Sequence, residues 1–309
     1  LGFFYKDRRR PMDIIQVKDN TYLIDTGMTY IPFYKISEKE IIMLDTGWAA
    51  GERKGIQEAL DREALIVAGI ISSHAHVDHI GNNNYLKEKY NCVIAMHEVE
   101  AALCSSIYNL KFFFSGHPLD EVKRHYGNME CQTDILIRGE QCSVTVGNVE
   151  FGLFHNPGHS PAHICIITPD NVAYLGDGLV SHDVMEGSKM PYANVLSEDL
   201  ASKAKLRGLD CSRYIIAHKG IYDDIHQLID DNIEFYQSCA QRVREIINRP
   251  MTMEEITKAV MRELGISVKS VNKYMAIEKM LRSNIEYLQE TGSIELRVDD
   301  GLLKYFNCN

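Results

Sequence analysis

The sequence predicts an α/β protein in which layered β-sheets are covered by helices. Short, mostly β-branched apolar runs such as Ile41–Leu44 and Leu65–Ser72 predict buried strands, and the pattern of Arg53–Ala64 between them predicts a helix. Two later pairs of apolar runs are separated by the turn residues Gly147-Asn148 and Pro169-Asp170-Asn171, and each pair predicts a hairpin. Such a mixture of strands and helices indicates layered sheets under helices.

The composition excludes several classes of protein. The chain has 309 residues, of which 45% are hydrophobic and 25% charged, so a sizeable core is expected. The formal net charge of −10 argues against non-specific attraction to nucleic acid. Eight scattered cysteines without a CxxC pair indicate reduced thiols. No apolar run approaches the roughly 20 residues of a membrane span, and the start LGFFYKDRRR is unlike a secretory signal. We therefore expect a cytoplasmic protein with no membrane or nucleic-acid partner.

One segment interrupts the series of strands. From Glu98 to about Met129 the pattern is helical and broken, and it contains the aromatic run Phe112–Phe114. Core packing is the favoured interpretation of this run, because aromatic clusters are usually buried. A hydrophobic wall or lid over a substrate pocket is the alternative. The series of strands itself is predicted to end at Tyr214–Ala217.

The C-terminal part predicts a small helical appendage. A long amphipathic helix over Asp224–Asn248 is followed by Pro250. Three helical segments and two strands then give the outline of a winged helix: Met253–Leu264, Val268–Met275, Ala276–Thr291, Ser293–Val298 and Leu302–Phe306. We predict a catalytic domain over residues 1–249 and a winged-helix-like domain over residues 250–309. The second region has eight basic against nine acidic residues, which favours packing or homodimer formation over DNA binding.

The first candidate metal ligands lie in the stretch from Ser73 to His79, SHAHVDH. It directly follows a predicted strand, and residues two apart in extended backbone point to the same side. His74 and His76 can therefore present two imidazoles to one metal ion. Asp78 and His79 can face a neighbouring ion where the chain turns. Imidazole and carboxylate together suit zinc, iron or manganese.

Three further candidate ligands lie downstream, each just past a predicted strand. They are His159, Asp177 and His218, and each sits in a turn that a nearby glycine makes possible. Turns on a rigid scaffold are common positions for metal ligands. The sequence thus offers five histidines and two aspartates for a metal centre.

Four motifs follow one another along the chain: HAHVDH, NPGHS, LGDG and AHKG. They are preceded by LDTG at Leu44–Gly47. Together they resemble the metallo-β-lactamase superfamily, with a glyoxalase II-like motif set. The resemblance covers about residues 13–218. It implies a four-layer αββα sandwich with two divalent metal ions at one edge between the sheets. Zinc is the preferred metal, and iron and manganese are the alternatives. The resemblance also implies the ligand roles: His74, His76 and His159 for the first ion, Asp78, His79 and His218 for the second, and Asp177 as the bridge. At His218 the sequence departs from the common His-Gly, because Lys219 intervenes.

The implied enzyme is a dinuclear hydrolase that uses a metal-bridging hydroxide on a small ester, thioester or lactone. Asp78 would also orient the nucleophile. Tyr192 is a candidate oxyanion donor, although a packing role is favoured, and His182 is a candidate at the pocket mouth. Two alternatives with a similar motif and fold stay open: a mononuclear iron persulfide dioxygenase, and a phosphodiesterase or nuclease.

Overall fold

The computed structural model describes residues 11–308. Its first sheet has seven strands, and each pairs with the next along the chain. The first four strands pair in antiparallel fashion, and the pairs from the fourth to the seventh are parallel. The strands are β1 (Asp13–Lys18), β2 (Thr21–Asp25), β3 (Tyr30–Lys35), β4 (Glu40–Leu44), β5 (Ile66–Ser72), β6 (Val93–His97) and β7 (Ile135–Ile137).

The second sheet has six strands in the order β13-β12-β11-β10-β9-β8, and both predicted hairpins are confirmed in it. Its strands are β8 (Ser143–Val146), β9 (Val149–His155), β10 (Ile164–Ile167), β11 (Val172–Tyr174), β12 (Arg213–Ile216) and β13 (Gly220–Tyr222). The prediction that the series ends at Tyr214–Ala217 was wrong. A turn with Lys219 at φ 64° reverses the chain, so β13 pairs with β12 as an edge strand.

Helices cover the outer faces of both sheets. The α-helices of the described chain are α1 (Ala49–Arg62), α2 (Val77–Ile80), α3 (Asn83–Tyr90), α4 (Glu98–Cys104), α5 (Ile107–Phe113), α6 (Leu119–Tyr126), α7 (His182–Gly187), α8 (Leu196–Lys205), α9 (His226–Ile246), α10 (Met253–Glu263) and α11 (Val271–Glu290). Leu44, Ile71 and Phe151 belong to the apolar layer between the sheets. Helices α1 and α3–α6 pack on the first sheet, and α9 packs on the second. The expected four-layer αββα sandwich is confirmed.

The C-terminal part differs from its predicted outline. After Pro250 the chain forms two helices, α10 and α11, because residues 271–290 contain no glycine or proline to break the second one. The hairpin β14 (Ile294–Asp299) and β15 (Leu302–Asn307) then follows. One apolar cluster joins α8 and α9 to both C-terminal helices. The domain boundary at residue 249 stays a prediction. Within residues 11–308, no helix combines the length and apolar character needed to cross a bilayer.

Candidate metal centre

The SHAHVDH stretch begins where β5 leaves the interior of the first sheet. His74 is fully buried, and His76 is the extended residue that precedes α2. The short helix α2 then carries Asp78 and His79, both buried. One turn and one helical turn therefore bring four candidate ligands to the same end of the sheet.

The other three ligands come from the ends of strands in the second sheet. His159 follows β9, Asp177 follows β11 and His218 follows β12. The turn before His159 requires a glycine: Gly158 has φ 120°, and a Cβ there would lie 2.1 Å from the backbone nitrogen of Asp199. The turns of the two sheets thus face each other at one edge of the sandwich.

All seven predicted ligands lie in two adjacent groups. In the first group, one donor atom each of His74, His76, His159 and Asp177 lies within 4.8 Å of the others, and the second group joins Asp78, His79 and His218 in the same way. Asp177 lies between the groups. Its Oδ2 is 3.2 Å from Nε2 of His159, and its Oδ1 is 3.3 Å from Nε2 of His79 and 3.4 Å from Nε2 of His218. Asp177 thus contacts histidines of both groups, as the predicted bridging role requires.

The donor atoms fit bound cations. Nδ1 of His76 lies 2.8 Å from Nε2 of His74 and 3.1 Å from Nε2 of His159, so three imidazole nitrogens converge on one point. Although Nε2 of His79 and Oδ1 of Asp177 lie 3.3 Å apart, neither atom has a partner with hydrogen-bond geometry within the described part of the chain, and both are buried. Unpaired buried polar atoms are costly unless an ion or water satisfies them. Five imidazoles and two carboxylates are a suitable donor set for zinc, iron or manganese.

The pKa shifts differ between the two ligand groups. Burial, and then the neighbouring imidazoles, lower the pKa of His74 well below its ordinary value, so the ring stays neutral and keeps a lone pair. Burial alone would raise the pKa of Asp177, but the positive charges of His218, His79 and His159 outweigh it and lower that pKa. At His218, burial acts to lower the pKa, and the two carboxylates more than reverse this and raise it to about 10. Binding of a cation by His218 would therefore require loss of that proton from the ring.

The comparison with known families agrees with this geometry. The profile of the metallo-β-lactamase superfamily matches residues 33–218, which is more than half of the chain. The chain belongs to the metallo-β-lactamase superfamily. The resemblance of its motifs is therefore confirmed at the level of the family.

Two relatives in this superfamily carry hydrolase names. The chain is 33% identical over 134 residues to a hydroxyacylglutathione hydrolase of Nitrobacter hamburgensis, covering 43% of this chain and 42% of the relative. It is 22% identical over 295 residues to an atrochrysone carboxyl ACP thioesterase of Emericella nidulans, covering 93% and 79%. Among solved structures, a beta-lactamase domain protein from Burkholderia ambifaria aligns with a TM-score of 0.71 at 17% identity, over 96% of this chain and 94% of that chain. At this identity the structural match shows the fold alone.

In this superfamily member a buried aspartate supports the ligands from behind. Asp45 Oδ2 lies 2.8 Å from Nδ1 of His79, and it accepts hydrogen bonds from the hydroxyls of Ser73 at 2.6 Å and Tyr174 at 2.7 Å. The Ser73 hydroxyl lies 3.0 Å from Nδ1 of His74. Such contacts fix the orientation of a ligand ring. Asp45 is part of the LDTG motif, but sequence reasoning gave it no role.

A second supporting residue is Glu100, which sequence reasoning missed. Its buried carboxylate accepts hydrogen bonds from the backbone N–H of Ala75 at 2.9 Å, the hydroxyl of Ser160 at 2.6 Å and the N–H of Ala162 at 2.8 Å. It therefore ties the His74–His76 turn to the turn that carries His159. Glu100 lies in the first turn of α4, and nothing in the local sequence distinguishes it from a solvated glutamate.

The two non-ligand candidates have different positions. The Tyr192 ring centroid lies 5.4 Å from those of both His76 and His159, and its hydroxyl is buried without a partner in the described chain. His182 instead directs Nε2 to Asp231 of α9 at 2.8 Å and lies outside both ligand groups. The structure thus brings Tyr192 to the centre and leaves His182 outside both ligand groups. The roles predicted for both residues stay predictions.

The three phenylalanines do not share one environment. Phe112 is 83% exposed, so core packing was the wrong expectation for it. Phe114 stacks on Tyr126, with ring centroids 3.7 Å apart, and packs against the helical core. Phe113 lies 6.3 Å from the ring of His76 and forms part of the wall beside the first ligand group. The insertion is therefore partly core and partly a wall of the site.

Proposed function

We propose that this protein is a dinuclear metal-dependent hydrolase of small thioesters, esters or lactones. The observation that supports it is the pair of adjacent ligand groups with Asp177 between them. A complete second group of Asp78, His79 and His218 favours the dinuclear hydrolase over the mononuclear iron dioxygenase. Because two relatives carry the names hydroxyacylglutathione hydrolase and ACP thioesterase, thioesters are the first substrates to test.

Each candidate ligand is assigned to one or both of the two proposed ions. One ion would be held by His74, His76 and His159. The other would be held by Asp78, His79 and His218, and both would be held by Asp177. When bound, such ions lower the pKa of water towards neutrality and act as Lewis acids on a carbonyl oxygen.

The chain itself supplies orientation and a donor. Asp78 keeps its carboxylate ionised, because the hydrogen bond and charge of His218 and the charge of His79 lower its pKa against the effect of burial. It can therefore orient an attacking water. The unpaired hydroxyl of Tyr192 can donate a hydrogen bond to the oxygen that becomes negative during attack.

Elemental analysis and a substrate panel test this proposal together. Protein purified without added metal or chelator should contain close to two zinc ions per chain and should hydrolyse at least one thioester, ester or lactone. His76→Ala should lose both metal and activity, whereas His226→Ala, on the exposed end of α9, should keep both. One iron per chain with oxygen consumption on a persulfide would contradict the proposal and support the dioxygenase.

We further propose a cytoplasmic location and a homodimer, as the reduced cysteines and the appended helices suggest. In the described chain the cysteines form no disulfide. Cell fractionation and sedimentation equilibrium test the two proposals separately.

A further inference from the structure

A lysine from the C-terminal helix α11 stands at the wall of the metal centre. The Nζ of Lys279 lies 3.8 Å from the ring centroid of Phe113 and 5.3 Å from that of Tyr192. Both rings are themselves neighbours of the His76 imidazole. The ammonium group is therefore placed over aromatic faces on the side of the first ligand group, although Lys279 lies 203 positions after His76 in the sequence.

This ammonium group has no anionic partner in the described chain. Among residues 11–308, no carboxylate oxygen lies within 4.0 Å of Lys279 Nζ, and its side chain makes no hydrogen bond. Lys279 is partly buried, whereas the fully buried Lys203 is paired with Asp199 at 2.5 Å. Partial burial of a charge without a partner is unfavourable, so such a group beside a candidate metal centre is a candidate for ligand binding. Burial lowers the pKa of Lys279 to about 8, which still leaves the amine mostly protonated at neutral pH.

A second unsatisfied donor lies beside it. The Tyr192 hydroxyl is buried and has no hydrogen-bond partner within residues 11–308. Two donors without acceptors, next to the point where His74, His76 and His159 converge, indicate that the missing acceptors belong to a ligand. An aromatic wall with a cation above it suits a short apolar chain that ends in a negative group.

We propose that Lys279 is a specificity-determining residue that binds a carboxylate of the substrate, so that the enzyme prefers thioesters with a carboxylate close to the reacting carbonyl. The inference rests on the proposed hydrolase function. The carboxylate can belong to the acyl chain or to the thiol, and both sources present the same chemistry to the ammonium group.

Three thioesters distinguish the sources. Butyryl-N-acetylcysteamine is neutral, succinyl-N-acetylcysteamine has its carboxylate on the acyl chain, and butyryl-N-acetylcysteine has it on the thiol. For the zinc-loaded wild type we expect kcat/KM to be higher for one of the charged substrates than for the neutral one by about tenfold or more, mostly through KM. Lys279→Met should reduce that ratio towards one. Methionine keeps the apolar stem against Phe113, and circular dichroism verifies the fold.

Lys273→Met is the matched control, because Lys273 is an exposed lysine on the same helix. It removes the same charge from the chain and should leave the ratio of the wild type unchanged. A wild type without preference for either charged thioester would overturn the inference, and so would a ratio that Lys279→Met leaves intact.

A binding measurement separates this inference from the proposed function. Isothermal titration of zinc-loaded protein compares succinate with butyrate, which has one carboxylate fewer. We expect the wild type and Lys273→Met to bind succinate about tenfold more tightly, and Lys279→Met to lose that difference. If the wild type hydrolyses no substrate, the proposed function fails, and the titration still decides the role of Lys279. Equal selectivity for succinate in wild type and Lys279→Met would refute it.

Discussion

Replacing Glu100 by glutamine tests whether this residue holds the two ligand turns together. The carboxylate accepts from Ala75 through Oε2 and from Ser160 and Ala162 through Oε1. In Glu100→Gln one oxygen becomes an NH2 group, which in the better orientation faces the N–H of Ala75. One hydrogen bond to a charged acceptor is then lost, and such a bond contributes about 1.5–3 kcal/mol. We expect the free energy of unfolding to fall by about 2–3 kcal/mol and zinc affinity to fall by about 10–100-fold.

Two measurements on the same protein check this prediction. Urea unfolding in the presence of chelator gives the stability without the contribution of bound metal. Competition with a chromophoric chelator gives the zinc affinity. Glu98→Gln is the control, because the Glu98 side chain is 40% exposed near Arg138 on the surface, and its change in stability should stay within about 0.5 kcal/mol. If Glu100→Gln loses no more stability and no more zinc affinity than Glu98→Gln, the positioning role of Glu100 is refuted.

Three further changes test other parts of the site. His218→Ala removes one of three donors of the second group, so metal content after dialysis should fall from about two ions per chain to about one, whereas His182→Ala should keep two. Tyr192→Phe should lower kcat by about 10–100-fold with little change in KM, and an unchanged kcat would leave this tyrosine with a packing role only. Lys279→Met should change the pH dependence of stability. Since the folded pKa of Lys279 is about 8 and its ordinary value is 10.5, the unfolded wild type binds more protons between these limits, so wild-type stability rises with pH there. Relative to the wild type, the metal-free variant should therefore lose about 1–3 kcal/mol of stability between pH 7 and pH 10.5, as measured by urea unfolding, and a constant difference would contradict the burial of the charge.

The convergence of the candidate metal ligands was predictable because they lie where the chain direction changes. Apolar β-branched runs predicted the strands, and the polar residues at their ends, such as His159 and Asp177, had to lie at a sheet edge. The two predicted hairpins agree with the structure for the same reason, since Gly147-Asn148 and Asp170-Asn171 are residues that turns favour. Local sequence contained the information in each of these cases.

The features that were not predicted from the sequence have a different physical origin. The edge strand β13 is three residues long and pairs only because a residue with positive φ, Lys219, reverses the chain. Glu100 and Lys279 derive their importance from partners that are distant in sequence. Glu100 contacts a turn 60 residues later, and Lys279 reaches the wall beside His76 from the C-terminal helix. Such long-range contacts leave no local pattern, so one sequence without the fold cannot reveal them.

The charge balance of the proposed metal centre is compatible with the binding of a substrate carboxylate by Lys279. Two divalent ions would bring four positive charges to a set of candidate ligands in which Asp78 and Asp177 are the carboxylates, so the loaded centre would attract an anion. The ammonium of Lys279 would add one more positive charge in a partly buried setting. The chain as a whole carries −10, so its distant charges repel an anionic substrate, but they act weakly beyond a Debye length of about 8 Å at physiological salt. Selection of an anionic substrate would therefore arise from short-range contacts at the wall of the site. We expect this selectivity to change KM and the affinity for succinate.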